Sequence, residues 1–381
     1  MANKRKLLTR TVELLTLVAV FILLCLLKNS QSVSEWIATN ISRKWIAIFG
    51  RVFSIFPFSV YELFLYIIGV SIIIIFAKII RDLIKKNFLS VLCVLMTVGI
   101  IAFTVINVYT LSAGFSYNRQ KVSLPGTNYE LTDSEVEQLA PLFVQQYNEL
   151  AQKLKRDEQG NVICPYSFNQ LAKILQKEYK RIDGKYLSSY TPRAKKILSS
   201  RIMSEMHITG VFFAPYGEVN INGMLPTIDL PVTMAHEMAH AKGVMREDEA
   251  NLIAYYLTCS SKDDYLRYCG YSAIYYRVFS AIHFDSELRQ NLYSSLNPKI
   301  FTELQNSAKF WDKYDILSQI ADFFNDLYLK LQGVKEGTDS YIDKDIVVDV
   351  PVDDGNGNIT IETKYYYSDL QKMIFSIVKD D

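Results

Sequence analysis

Three stretches in the first third of the chain have no polar face. Residues 14–27 (LLTLVAVFILLCLL) carry no charge within an apolar run from about Thr11 to Lys28. Residues 63–77 (LFLYIIGVSIIIIFA) sit within a run from about Tyr61 to Ile80, and residues 87–118 are uncharged around an apolar centre from Leu89 to Leu111. Helices of roughly 18–23 such residues span a hydrocarbon core of about 30 Å. A core helix of a soluble domain would keep a solvent face, and these runs have none. A membrane domain over 1–113 is therefore expected, with transmembrane helices over about 11–28, 61–80 and 89–111. The first run begins with Lys4, Arg5, Lys6 and Arg10, as a signal peptide does, but its exit, Lys28-Asn29-Ser30-Gln31, offers no small-x-small cleavage site. It reads as a retained anchor. The intervening WIAIFGRVFSIFPF (45–58) reads as an interfacial amphipathic segment, with a re-entrant segment as the alternative.

Beyond residue 113 the pattern is that of a soluble domain. Gly114, Pro125 and Gly126 mark 114–128 as a linker. Helical periodicity follows over 131–156, started by Thr132-Asp133-Ser134-Glu135, and again over 167–181 and 193–206. Residues 208–222 (ITGVFFAPYGEVNIN) turn β-rich, with alternation at Val219 and Ile221. Pro231 opens a helix that stops near Gly243, 247–258 form another, and 262–332 are mostly helical. The segment IVVDVPVDDGNGNITIETKYYY (346–367) reads as a β-hairpin turning at Asp354-Gly355-Asn356-Gly357, before a last helix from about Ser368 to Val378. Residues 129–381 are thus expected to form a helix-rich α+β domain.

Composition adds a direction to this plan. The chain of 381 residues is 50% hydrophobic and 21% charged, which excludes disordered, collagen-like and disulfide-scaffold classes. Its net charge of +1 hides a split: residues 1–113 hold 12 Lys+Arg against 4 Asp+Glu, and the remainder 29 against 36. The basic part is the apolar part, so it points to a membrane and not to nucleic acid. Lys and Arg concentrate in residues 1–10 and in the loop 78–88 (Lys78, Arg81, Lys85, Lys86). The positive-inside rule puts both in the cytoplasm of a multi-pass cell-membrane protein, and residues 114–381 outside it. Five cysteines, an odd number, exclude a full disulfide framework. Cys259 and Cys269 could pair outside the membrane, Cys25 and Cys93 read as packing residues of the spans, and Cys164 has no motif around it.

The chemistry-bearing segment is PVTMAHEMAHAKGVMREDEANLIAYYL (231–257). His236-Glu237-Met238-Ala239-His240 places two imidazoles at i and i+4 on one helix face, where both reach one metal. Glu237, one step round, is placed to act on water beside that metal without ligating it. Four histidines in 381 residues give about 0.04 His-x3-His pairs by chance, before a Glu is required between them. Gly243 lets the chain turn, and Arg246-Glu247-Asp248-Glu249-Ala250-Asn251 opens the next helix. A carboxylate there supplies a third ligand and leaves the fourth zinc position open, as in catalytic sites. Glu247 and Glu249 point about 200° apart on a helix, so one of them can serve. Glu247 shares its face with Asn251 and is the first choice, with Glu249 the alternative.

H-E-x-x-H followed by E-x-x-A-N resembles the zincin metallopeptidases, in particular their glutamate-liganded gluzincin branch. The resemblance implies one Zn2+ per chain on His236, His240 and Glu247. It also implies Glu237 as general base, Asn251 as the residue orienting a ligating histidine, and a peptide or protein substrate. It implies a fold with an active-site helix and a substrate-binding edge strand, a position that 217–222 (GEVNIN) fits. Two departures stand out. Asn251 replaces the usual Asp, and only six residues separate His240 from Glu247, which is short for that branch. The whole chain resembles a bacterial membrane family known as domain of unknown function 3810. Tyr216, Tyr275 and Tyr341 are open choices for an oxyanion-stabilising residue, while His207 and His283 read as structural or surface residues. The expected function is a membrane-anchored zinc metallopeptidase with an outward-facing site. A non-catalytic zinc-binding sensor or regulatory protein that keeps the fold is the alternative. An intramembrane protease is disfavoured, because Lys242, Arg246 and the 247–249 acidic run would lie in lipid.

Overall fold

The computed structural model describes residues 2–182, 184, 186–314, 317–341, 346–353 and 359–380. From the N-terminus, α1 (Ala2–Lys28) is followed by α2 (Gln31–Ile37), a π-helical turn (Ala38–Ser42) and α3 (Arg43–Phe53). Two long helices come next, α4 (Val60–Ile84) and α5 (Phe88–Ser112). Among the described residues, α1, α4 and α5 are long and apolar enough to cross a membrane, where the hydrophobic runs predict spans. The close contact is between α1 and α5. Gly99 lets Leu14 approach, a Cβ there lying only 3.2 Å from a Leu14 methyl, and the Asn107 amide donates to the Leu17 carbonyl at 3.0 Å.

These three helices join the globular part at their ends opposite the basic clusters. The Lys28 carbonyl accepts from Asn118 at 2.8 Å, and the Tyr61 N–H donates to Glu218 at 2.8 Å. Glu62 accepts from the N–H groups of Leu198 (2.9 Å) and Ser199 (2.6 Å). Residues 114–128, expected as a linker, are instead folded into the body. Phe115, Tyr117 and Leu124 are buried. Arg119, also buried, reaches the Glu35 carboxylate at 2.9 Å and the Gly243 carbonyl at 3.2 Å. Glycine and proline at a few positions conceal an anchoring core in this segment. Within 45–58, α3 buries Ile46 and Gly50 against the body, and the Trp45 indole donates to the Pro215 carbonyl at 3.1 Å. Ile48 and Val52 of the same helix stay exposed, as does Ile55 just beyond it.

The body continues with α6 (Asp133–Lys153), capped by the Thr132–Glu135 box, and α7 (Phe168–Glu178). Residues 193–206, expected as one helix, are β1 (Ala194–Ile197) and a short α8 (Ser200–Glu205). Pairing with a neighbouring strand overrides local propensity here. Then come β2 (Gly210–Phe213) and β3 (Glu218–Asn222). Strand β3 is the centre of the sheet, parallel to β1 and antiparallel to β2. Residues 217–222 are therefore not an edge strand; β1 and β2 are the two edges. Helices α9 (Leu230–Ala241) and α10 (Glu247–Cys259) pack against each other and against α11 (Asp264–Ala281). After α12 (Ser286–Ser294), α13 (Pro298–Asp312) and α14 (Ser318–Leu331), strands β4 (Ile346–Asp353) and β5 (Ile359–Tyr366) pair antiparallel, and α15 (Asp369–Asp380) closes the chain. The hairpin turn expected at 354–357 lies outside the described residues. All five cysteines are free thiols, with Cys259 and Cys269 both buried and unbridged.

Candidate metal centre

Helix α9 carries the histidines on a face turned toward α10. It ends at Gly243 (φ +97°), where the Gly243 N–H bonds to the His240 carbonyl at 2.9 Å and the Val244 N–H to the Ala239 carbonyl at 3.2 Å. This Schellman turn needs a left-handed residue, which glycine supplies. It also swings the Val244 carbonyl to 2.7 Å from His240 Nδ1. A carbonyl only accepts, so Nδ1 carries the proton and His240 Nε2 presents its lone pair. The next residues lead straight into α10, which starts at Glu247.

Three donor atoms meet as a result. His236 Nε2 and His240 Nε2 are 3.0 Å apart, and Glu247 Oε2 lies 3.1 Å from the first and 3.4 Å from the second. Tetrahedral zinc with nitrogen and oxygen ligands at about 2.0–2.2 Å holds its donors about 3.3–3.6 Å apart; one side of the triangle matches this and the other two are about 0.2–0.3 Å shorter, a small outward shift of the side chains from that geometry. Glu247 Oε2 and His236 Nδ1 are buried without a hydrogen-bond partner. The charges ask for a cation as well. Burial opposes charging of His240, yet the Glu247 and Glu237 carboxylates raise its pKa above the ordinary value. Burial likewise opposes ionisation of Glu247, and the two imidazoles hold its carboxyl well below the usual range. Among the described residues this is the one cluster of three His, Cys, Asp or Glu side chains with converging donor atoms.

Glu237 is buried beside the triangle and contributes no donor to it. Burial pushes its carboxyl up, and the Glu247 charge adds to this. The two histidines and a hydrogen bond from the Phe212 N–H oppose the rise. Strand β2 comes very close: a Cβ at Gly210 would lie 2.6 Å from Glu237 Cγ and 2.7 Å from Oε1. Sequence reasoning did not single out Gly210, Phe212 or Val244, because their roles lie in backbone groups that no side-chain motif reports.

The remaining expectations sort by position. Glu249 faces away from the triangle and accepts from the Val122 N–H at 3.2 Å; burial and the neighbouring Asp248 push its carboxyl up to about 7. The Asn251 amide donates to the Tyr341 carbonyl at 3.2 Å and to neither histidine; the orienting contact expected of it is made on His240 by Val244. Tyr341 lines the cleft, where burial and then Glu247 raise its hydroxyl pKa. Tyr216 packs tilted or edge-on among Phe53, Phe64 and Phe213, and Tyr275 edge-on against Tyr276 and Phe279, both outside the cleft. His207 is at the cleft lip against Trp311, and His283 stacks on Tyr365 at 3.8 Å.

The triangle and Glu237 open into a cleft of about 730 Å³. Strand β2 forms one wall and α14 another, and Tyr109 of α5 and Tyr117 just after that span also line it. A family model described as "Protein of unknown function (DUF3810)" matches residues 38–347, which include α4, α5 and every residue of the triangle. No curated protein and no solved structure matches the chain.

Proposed function

The chain belongs to this family of unknown function, DUF3810, and from the geometry of its cleft we propose that it is a membrane-anchored, zinc-dependent peptidase whose site faces away from the cytoplasm. The observation that carries the reading is the convergence of His236 Nε2, His240 Nε2 and Glu247 Oε2 within 3.0–3.4 Å, with a non-ligating Glu237 beside them. A purely structural site has no use for that second, non-ligating buried carboxyl. Zinc held by these three side chains would polarise the attacking water and the scissile carbonyl.

The chain's own groups supply the rest. Glu237, its carboxyl raised by burial, takes a proton from the attacking water as the new C–O bond forms at the peptide carbonyl. It then delivers that proton to the amine as the C–N bond breaks. The Phe212 N–H and the close backbone at Gly210 keep the carboxylate facing the triangle. Val244 holds His240 in the tautomer that offers Nε2. The outer edge of β2 carries main-chain groups along the cleft, so an extended peptide can add to it as a further strand. Of the three candidate tyrosines Tyr341 alone lines the cleft, which supports it as the group that hydrogen-bonds a developing oxyanion.

The test uses the full chain purified in detergent. Elemental analysis is expected to give one zinc per chain, lost in His236→Ala. Glu237→Gln is expected to keep the zinc and to cleave a peptide library about 10²–10⁴-fold more slowly. Zinc retention with no cleavage of any library peptide by the wild type would replace the peptidase with the sensor.

A further inference from the structure

Helix α14 has three sectors. At roughly 100° per residue, Ala321, Asn325 and Leu329 share the arc turned toward the body. Gln319, Asp322 and Asp326 form a polar arc beside it. Lys330 extends the polar arc, Ser318 and Tyr328 belong to the body-facing one, and the remaining residues are a stripe of Ile320, Phe323, Phe324, Leu327 and Leu331, at i, i+3, i+4, i+7 and i+11. These five are 45–73% exposed, with Phe323 and Leu331 the most open. Water alone would not leave such a stripe uncovered on a soluble surface.

The fold places this helix at the ends of the membrane spans. The Tyr328 hydroxyl bonds to that of Tyr109, three residues before the end of α5, and lies 3.0 Å from the Tyr117 hydroxyl. Gln332, one residue past α14, accepts from Lys28 Nζ at 3.3 Å at the end of α1. The apolar stripe is therefore continuous with the surface the bilayer must cover. We propose that α14 is an in-plane membrane helix whose Ile320–Leu331 stripe inserts into the leaflet at the globular end of the spans. The occupant is lipid, and the geometry has the form of an interfacial helix, with an apolar face, a charged flank and aromatic residues at the boundary. Because α14 is also a wall of the cleft, the cleft opens at the bilayer surface. Polypeptides tethered to that leaflet are then the substrate class, a clause that rests on the peptidase reading, whereas the insertion of α14 does not.

Photo-crosslinking of the full chain in nanodiscs tests the insertion. A benzophenone side chain replaces Phe323 or Leu327, with Ile73 of α4 as a lipid-facing reference and Gln319 and Asp322 as polar-arc controls. The lipid is phosphatidylcholine with an alkyne on its acyl chain. Positions 323 and 327 are expected to capture lipid within about threefold of position 73, and at least about tenfold above 319 and 322. Equal capture at 319, 322, 323 and 327 overturns the proposal, as does crosslinking of 323 and 327 to a second copy of the chain. For the substrate clause, Phe323→Asp with Leu327→Asp is expected to slow cleavage of acylated peptides on the nanodisc about tenfold, while their soluble counterparts are cleaved as before. An equal loss on both sinks the clause. Absence of cleavage by the wild type sinks the peptidase reading and leaves the crosslinking result standing.

Discussion

Gly210→Ala is the sharpest test of how Glu237 is held. The added methyl would sit 2.6 Å from Glu237 Cγ, 2.7 Å from Oε1 and 2.9 Å from Cδ. Carbon atoms pack at about 3.5–4.0 Å, so the Glu237 side chain must retreat by about 1 Å. The clash is with a flexible side chain, and Ala suits a strand interior at least as well as Gly, so the fold is expected to survive. None of the three ligand atoms is contacted, so zinc content is expected to be unchanged. A misplacement of about 1 Å at a reacting group costs about 10²-fold, and kcat is therefore expected to fall by about two orders of magnitude with KM little altered. The assay is steady-state hydrolysis of the best library peptide, beside elemental analysis and a melting curve of the same preparation. The double variant with Glu237→Gln should be no slower than Glu237→Gln alone, because both remove one function. Wild-type kcat in Gly210→Ala, with Glu237→Gln inactive, would refute the idea that β2 positions the base.

The remaining predictions reach further out. Glu247→Ala is expected to weaken zinc binding by more than the 10–100-fold typical of an outer hydrogen-bond partner, and Glu249→Ala to leave it unchanged; competition with a chromophoric chelator separates them. Glu218 and Lys195 are a buried ion pair that also anchors the N–H groups of Val60 and Tyr61. Glu218→Gln should cost about 3–5 kcal/mol in chemical denaturation by stranding the Lys195 charge, and a neutral result would show that the pair does not hold α4 to the body. For Glu35, burial alone would raise the carboxyl pKa, but hydrogen bonds and charge from Arg119, with help from the Gln120 N–H and the Thr39 hydroxyl, lower it. A lowered folded-state pKa gives stability that is present above the unfolded pKa of 4.5 and is lost as pH falls through the folded value. The wild type should therefore lose stability on acidification below about pH 4.5 by an amount that Glu35→Gln does not lose, under about 1 kcal/mol because the carboxylate is partly exposed. A periplasm-type reporter fused after Ala113 is expected to be active, and the same reporter at Lys85 silent; the reverse would invert the orientation of the site.

What the sequence disclosed and what it hid divide along one physical line. Side chains that work alone in their own segment were legible: the unbroken apolar runs of the spans, and His236 and His240, whose i, i+4 spacing brings them together on any helix. Helical phase let only one of Glu247 and Glu249 face the metal, and the small residues beside Glu247 with the resemblance to E-x-x-A-D selected it; the structure brings Glu247 to the histidines while turning Glu249 to Val122. Contacts between distant segments were not legible. Strand β1 forms by pairing with β3, where Lys195 also meets Glu218 across 23 residues, and the 114–128 segment is held by Arg119 reaching back to Glu35. Backbone partners were invisible for the same reason: any residue could supply the carbonyl of Val244 or the N–H of Phe212. Asn251 was the one site residue read by analogy alone: on His240 the contact expected of it is made by the Val244 carbonyl, and His236 Nδ1 has no partner. With Gly243 placing a carbonyl on His240 Nδ1, that histidine's tautomer is fixed inside the six-residue turn, and Asn251 is free to hold Tyr341 at the cleft. A turn tight enough to bring Glu247 to the triangle thus also brings an orienting group for His240.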